Sequence, residues 1–195
     1  MTIIGQKVIL RPIESNDLEI LREIQNDTMI QILSTENKFP ISSFQQQAWF
    51  STQNSASQTN LRLMITEKSS SKAIGMTGLW NIDSLNRNAS TGLKILSSEF
   101  QGKGFGFDTL MTILAYGFSR LGLHRIETTI LEKNTPSLKL FTKKCGFSIE
   151  GTLREKYRWN QEYLHVKILS LLDEQFYSLS QTKNYISLVC PSPQG

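Results

Sequence analysis

Six residues, Gln101-Gly102-Lys103-Gly104-Phe105-Gly106, put three glycines into five positions between a strand-like run, Gly92 to Leu96, and a long apolar-periodic segment, Phe107 to Leu121. Bare backbone at such a junction lets N–H groups converge on one point, and the positive end of the following helix dipole adds to them. The expected guest is an anion, and among anions a phosphate. A nucleoside-triphosphate loop needs Gly-Lys followed by Ser or Thr, and a dinucleotide fold needs GxGxxG with an acidic residue about 20 positions further on. Neither pattern is present. Glycine-rich turns also serve as plain tight connections, so the downstream residues decide the reading.

Downstream, Asn134-Thr135-Pro136-Ser137 closes one strand and opens a helix, with proline in the first turn where its missing N–H costs nothing. Asn and Ser are ordinary capping residues in that setting. Further on, Leu153, Glu155, Tyr157 and Trp159 alternate onto one face of a strand and Arg154, Lys156 and Arg158 onto the other, with either face open to solvent. Of the two histidines, His124 reads as a surface or capping residue and His165 as a partly buried, hydrogen-bonded one. Neither they nor Cys145 and Cys190 stand at ligand spacing, so no metal site is expected.

These groups need a scaffold. Val8 and Leu10 begin a first strand; Leu18, Leu21 and Ile24 recur at helical spacing; Ser42 or Ser43 starts a short helix with Ala48, Trp49 and Phe50 on its apolar side. From Asn60 the texture becomes an antiparallel meander, LRLMITEK, AIGMTGLWNID and then Ala89 to Leu96, separated by polar turns. Leu110, Ile113, Leu114, Phe118 and Leu121 mark a helix ending near Gly122; Ile126 to Leu131 alternates as a strand; a final hairpin turns at Asn160-Gln161.

The pattern Gln-Gly-x-Gly-x-Gly after a strand resembles the acyl-CoA pyrophosphate loop of the GNAT N-acetyltransferases. The order strand, glycine loop, helix, strand, Asn-x-x-Ser, helix, Gly-Phe and hairpin is similar to a GNAT domain over roughly residues 7–175. Within that superfamily, SIEGTLREKYRWNQEYLHVKILSLL resembles the branch holding the ribosomal-protein N-terminal acetyltransferases and the spermidine acetyltransferases. The resemblance implies an α/β (α+β) fold: a mixed, mostly antiparallel sheet of six to seven strands, splayed into a V between strands 4 and 5 and flanked by helices. It also implies one domain over residues 1–175, leaving 176–195 as a surface-packed or frayed tail without assigned role.

Acetyl-CoA is the implied co-substrate. Its pantetheine arm is expected along the strand edge at Ile95 and Leu96, where backbone donors would also meet the oxyanion. Its pyrophosphate is expected on Gln101, Gly102, Lys103, Gly104, Phe105 and Gly106, with Lys103 read either as a phosphate partner or as a solvated side chain. Asn134 is expected to bind the pantetheine arm, and Ser137 to lie near the sulfur and protonate the departing thiolate. Lys143 and Lys144 are additional candidates for the nucleotide phosphate.

Two departures stand out. Many family members place Tyr seven residues after this Asn, where Phe141 has no proton to give, and the interval from Asn134 to Gly146 is one residue longer than usual. A bulge in the intervening helix would reconcile both. The usual carboxylate near Ser90 is missing, and Tyr157 stands where the ribosomal branch carries Glu. Proton removal from the amine is therefore assigned to Glu155, to Tyr157, or to water lined by Tyr157, the last preferred.

Direct transfer from acetyl-CoA to a primary amine is the implied reaction. A protein N-terminal amine leads as acceptor, because Glu36 is the sole acid between residues 28 and 57, where a polycation would favour several. A small amine, polyamine or antibiotic, is the alternative, and a non-catalytic acyl-CoA-binding module is the rival from another class. The 195 residues suit one domain, and 21 basic against 17 acidic residues without a basic block argue against nucleic acid. No membrane span or cationic leader is evident, so a cytoplasmic monomer or homodimer is expected.

Overall fold

The computed structural model describes residues 2–35, 39–53, 59–96 and 98–190. A short strand β1 (Ile3–Ile4) turns back onto β2 (Val8–Pro12), and helices α1 (Leu18–Asn26), α2 (Thr28–Ile32) and α3 (Ser43–Gln53) lead into a meander of β3 (Leu61–Glu67), β4 (Ala73–Asp83) and β5 (Asn88–Ile95). After the glycine loop come α4 (Phe105–Ala115), β6 (Arg125–Leu131), α5 (Thr135–Lys139), β7 (Ser148–Trp159), β8 (Glu162–Leu172), α6 (Asp173–Ser178) and α7 (Thr182–Val189). All strands join one sheet, in the order β1-β2-β3-β4-β5-β6-β8-β7. Every neighbouring pair runs antiparallel except β5 with β6.

The sheet has eight strands rather than six to seven, because β1 adds a short first member. The splay thus falls between β5 and β6. Among the described residues, three α-helices rather than two separate β2 from β3. α3 starts as a capping box: Ser42 Oγ accepts the Gln45 N–H at 3.2 Å, and Gln45 Oε1 accepts the Ser42 N–H at 2.9 Å.

Strand alternation divides the sheet into two unlike faces. Leu63 and Ile65, Leu79, Ile126 and Ile130 enter the main core with Leu110, Ile113 and Leu114 of α4. Arg62, Met64, Met76, Trp80 and Lys94 take the opposite face, where Leu21 and Ile24 of α1 pack on Met64 and Met76. Helix α1 covers only part of it, and Arg62, Trp80, Ser90 and Lys94 stay half-exposed.

One buried carboxylate locks the start of α4 to both ends of the chain. Asp108 accepts the backbone N–H groups of Gln6 (3.1 Å), Lys7 (2.7 Å) and Val8 (2.8 Å), and the phenol of Tyr185 on α7 (2.8 Å). Residues 176–190, read from the sequence as a tail, form the second half of α6 and all of α7 and put Phe176 and Tyr185 into the main core. Burial and the carboxylate together push the Tyr185 phenol far above its ordinary value.

Asp108→Ala, which strands three N–H donors at the β1–β2 turn, is expected to cost about 3–5 kcal/mol of stability, and Tyr185→Phe about 2 kcal/mol. Urea unfolding measures both; equal losses for the two variants would show that the turn does not depend on the carboxylate.

Candidate active site

Parallel pairing of β5 with β6 lasts for three rungs, Asn88 with Arg125, Ala89 with Ile126 and Ser90 with Glu127. Beyond Ser90 the strands part, although β5 stays paired to β4 as far as Ile95 and β6 to β8 as far as Leu131. Each strand therefore offers one open backbone edge to a V-shaped gap. The Leu96 N–H donates to Ile74 O at 3.0 Å. Antiparallel alternation from that bond directs the N–H and C=O of Leu93 and Ile95 away from β4, into the V. Ile95 thus turns its backbone groups to the edge where the pantetheine arm is expected. Leu96 does not offer its N–H there, because β4 takes it.

The glycine loop sits above this edge. Gly102 (φ +74°) and Gly104 (φ +89°) hold left-handed backbone that other residues adopt at a cost. Gly104 is the N-cap of α4, and the first intrahelical bond runs from the Asp108 N–H to Gly104 O at 3.0 Å. The N–H groups of Phe105, Gly106 and Phe107 consequently have no acceptor within the helix and form a donor cluster at its positive end. A Cβ at Gly106 would lie 3.3 Å from Leu140, 3.5 Å from Leu93 and 3.8 Å from Ile95, so loop, strand edge and the turn that follows α5 meet there. Gln101 and Lys103 are exposed. Phe105 is buried, edge-on to Phe100 at 5.6 Å, so its contribution to the loop is its backbone.

Lys7 joins them, donating from Nζ to Lys103 O at 2.9 Å. Its ammonium sits 3.5 Å from where a Gly104 Cβ would be, adding positive charge to the loop. Sequence reasoning missed it, since nearly a hundred residues separate the two.

Asn134 caps α5: its Oδ1 accepts the Ser137 N–H at 3.2 Å, and its Nδ2 donates to Leu33 O at 3.0 Å, tying the end of β6 to the segment after α2. Ser137 is half-buried in the first turn of α5. The helix continues as a π turn over Leu140–Lys144, closed by the Cys145 N–H on Leu140 O at 3.1 Å. That turn absorbs the extra residue between Asn134 and Gly146. Phe141 is buried edge-on against Phe147, at 5.0 Å, and Lys143 and Lys144 stay exposed.

The strand expected to aim Glu155 and Tyr157 together does not do so. Leu153 pairs with Val166 and Tyr157 with Leu164, so four residues on β7 span two on β8 and the alternation breaks. Glu155 lies in the resulting bulge at φ +53°, exposed, its N–H donating to His165 Nδ1 at 2.9 Å. A desolvated Glu155 base is thus set aside. Tyr157 packs beside Leu131, Leu164, Val166 and Trp159 at the end of β6. His124 lies at the surface, its Nδ1 3.0 Å from Asp173.

On the face away from α4, Arg125 binds Glu150 through two N–H groups at 2.7 and 2.6 Å and Glu127 through one at 3.2 Å, and Ser170 Oγ donates to Glu150 at 2.6 Å. The Arg125 and Ser170 hydrogen bonds hold the Glu150 carboxyl at about 2, from an ordinary 4.5, and the Glu150 and Glu127 carboxylates in turn raise the Arg125 guanidinium. The same face carries a cavity of about 220 Å³ lined by Leu21, Gln25, Phe39, Gln46, Trp49 and Met76 among others. Glu36 lies outside the described residues. Among those residues no three His, Cys, Asp or Glu side chains cluster as metal ligands, and no helix is long and apolar enough to cross a membrane.

Two outcomes follow. Gly102→Ala has open space around the new methyl but opposes φ +74°, so the protein should fold while acetyl-CoA binds about 10-fold more weakly, equivalent to about 1.4 kcal/mol; calorimetric titration of a folded variant with unchanged affinity would remove the loop from the binding site. Because Glu150 is more acidic folded than unfolded, its stabilising effect is complete above about 4.5 and lost as pH falls towards about 2. Glu150→Gln should flatten the acid-unfolding curve within that window, read by circular dichroism.

A sequence profile described as the acetyltransferase (GNAT) domain matches residues 7–148. Spermidine N(1)-acetyltransferase of Vibrio cholerae serotype O1 is 27% identical over 177 residues, 91% of this chain and 99% of that enzyme. The Escherichia coli K12 enzyme of the same name is 26% identical over 190 residues, 97% and 98% of the two chains. An uncharacterized N-acetyltransferase of Bacillus subtilis strain 168 reaches 30% over 154 residues, 76% and 84%. Among solved structures, V. cholerae spermidine N-acetyltransferase in complex with CoA and spermine superposes with a TM-score of 0.81 at 25% identity, covering 89% of this chain and 100% of that one. The profile spans most of the sequence and the relatives align nearly end to end, so this protein belongs to the GNAT family and is an acetyl-CoA-dependent N-acetyltransferase.

Proposed function

We propose that this enzyme acetylates a small primary amine of the polyamine class. The observation that carries the reading is the near full-length similarity to spermidine acetyltransferases, which includes the hairpin that the sequence shares with two branches. The expectation of a protein N-terminal acceptor gives way on that ground, and the branch is the spermidine one.

Acetyl-CoA supplies the activated acetyl group. The edge of β5 at Leu93 and Ile95 offers the backbone pairing that an extended amide arm takes up by strand addition, and the α4 N-terminus with Lys7 takes the pyrophosphate. The amine approaches over the face bearing Trp80 and Ser90 and attacks directly, without an acyl-enzyme. The Ser137 hydroxyl, in the first turn of the helix that Asn134 caps, gives a proton to the thiolate.

One observation favours a second acceptor. The cavity beside α1 presents Gln25, Gln45 and Gln46, amides rather than carboxylates, among its described lining residues. Neutral amides suit a weakly charged amine, such as a peptide N-terminus, better than a polycation. A dodecameric form of the V. cholerae enzyme extends the range of assemblies to consider beyond monomer or dimer, and sedimentation velocity measures which applies.

Thiol release from acetyl-CoA should rise at least tenfold over background with spermidine or spermine and less with peptides; release confined to peptides would reverse the order of the two readings. Ser137→Ala should lower kcat within the general acid range of about 10²- to 10⁴-fold while acetyl-CoA affinity holds. Normal turnover in that variant would pass the proton to water.

A further inference from the structure

The acceptor amine must lose a proton, and the position on β5 where the sequence lacks a carboxylate, Ser90, has a neighbour that sequence reading did not consider. Glu127 is its partner on β6, on the last rung before the strands part. The two Cα positions face each other across about 4.8 Å of strand spacing, and residues in register on adjacent strands project to the same face. On β5 and β4 that face is fixed independently: Trp80 pairs with Ser90, and a Cβ at Gly92 would meet the Trp80 ring at 3.0 Å. On β6, Ile126 and Ile130 fill the main core, so Glu127 stands on the other side, away from α4.

We infer that Glu127 is the proton acceptor for the amine, acting through water at the floor of the V, with Arg125 as its positioning residue. The claim rests on the amine-acetylation reading above. The other carboxylates near the V are unsuited. Both oxygens of Glu150 are engaged by Arg125, and Ser170 adds a third bond, leaving a very weak base. Glu155 is in the exposed bulge, and Glu132 is paired with Lys167 at 2.7 Å. Among the described residues the Glu127 carboxylate accepts one hydrogen bond, from Arg125 to Oε2 at 3.2 Å, and its side chain is 45% exposed. One oxygen is thus held in place while the carboxylate remains in contact with solvent at the end of the gap.

The charged groups sharing that face include Arg125 on the same strand, Glu150 on β7, Arg62 on β3, Lys94 on β5, whose Nζ donates to Gln25 Oε1 at 3.2 Å, and, further off, Arg11 on β2 in its pair with Asp17. In the reaction, the bound ammonium gives one proton through water to Glu127, which releases it to solvent. The neutral amine then forms the C–N bond as the C–S bond breaks, and the second N–H proton lost from nitrogen balances the one gained by sulfur.

The test measures kcat and kcat/KM against pH for wild type, Glu127→Gln and Glu127→Asp, with spermidine and a peptide amine, alongside acetyl-CoA titration and thermal melting. Glu127→Gln should melt normally, bind acetyl-CoA normally and lose about 10²-fold in kcat at neutral pH. The deficit should shrink as pH rises towards the amine's own pKa, where the amine arrives neutral, and Glu127→Asp should recover part of the rate. Full kcat in Glu127→Gln, or a deficit constant across pH, overturns the assignment. Wild type that releases no thiol with any amine overturns the amine reading itself, and this inference with it.

Discussion

The constraint on which the rest depends is the early end of one strand pairing. β5 and β6 run parallel for three rungs and then separate, while each remains paired on its other side. Open backbone edges inside a sheet are costly to leave dry and prone to pair with any extended chain. Here the two edges form a cleft instead of an exposed rim, so an extended amide-bearing arm is the partner proposed to satisfy them. Phosphate chemistry follows from the same point, because the chain leaving the open end of β5 must turn into α4, and the turn exposes that helix's first N–H groups.

Holding the cleft open demands rigidity behind it. Asp108 supplies this by joining the first turn of α4 to the β1–β2 turn and to Tyr185, so the helix proposed to receive the pyrophosphate is tied to the sheet. Lys7 extends the same connection to the loop itself through Lys103 O. The C-terminal helices thereby brace the start of α4, where Tyr185 also packs edge-on against Phe107.

Much of this was legible in the sequence where local rules decide it. The Gly102, Gly104 and Gly106 spacing announces its own backbone, Asn134 and Ser137 announce a cap, and the surplus residue before Gly146 announces the π turn that the helix carries. The failures have a common cause in register between distant segments. Two-residue periodicity placed Glu155 beside Tyr157, yet a bulge opposite β8 swings it into solvent. Glu127 escaped notice because its meaning comes from Ser90, a partner chosen by β5–β6 pairing and invisible in either strand alone. Residues 176–190 looked like a tail because Phe176 and Tyr185 acquire a core only from α4 and the sheet.

The account holds that the β5 edge is the seat of the cofactor's amide arm, and amide hydrogen exchange tests this most directly. Leu93 and Ile95 direct their N–H groups into the gap, whereas Leu96 donates to Ile74. Adding acetyl-CoA should slow exchange at Leu93 and Ile95 together with Phe105 to Phe107 and leave Leu96 nearly unchanged. Protection confined to the glycine loop, with the β5 edge exchanging as fast as before, would contradict it.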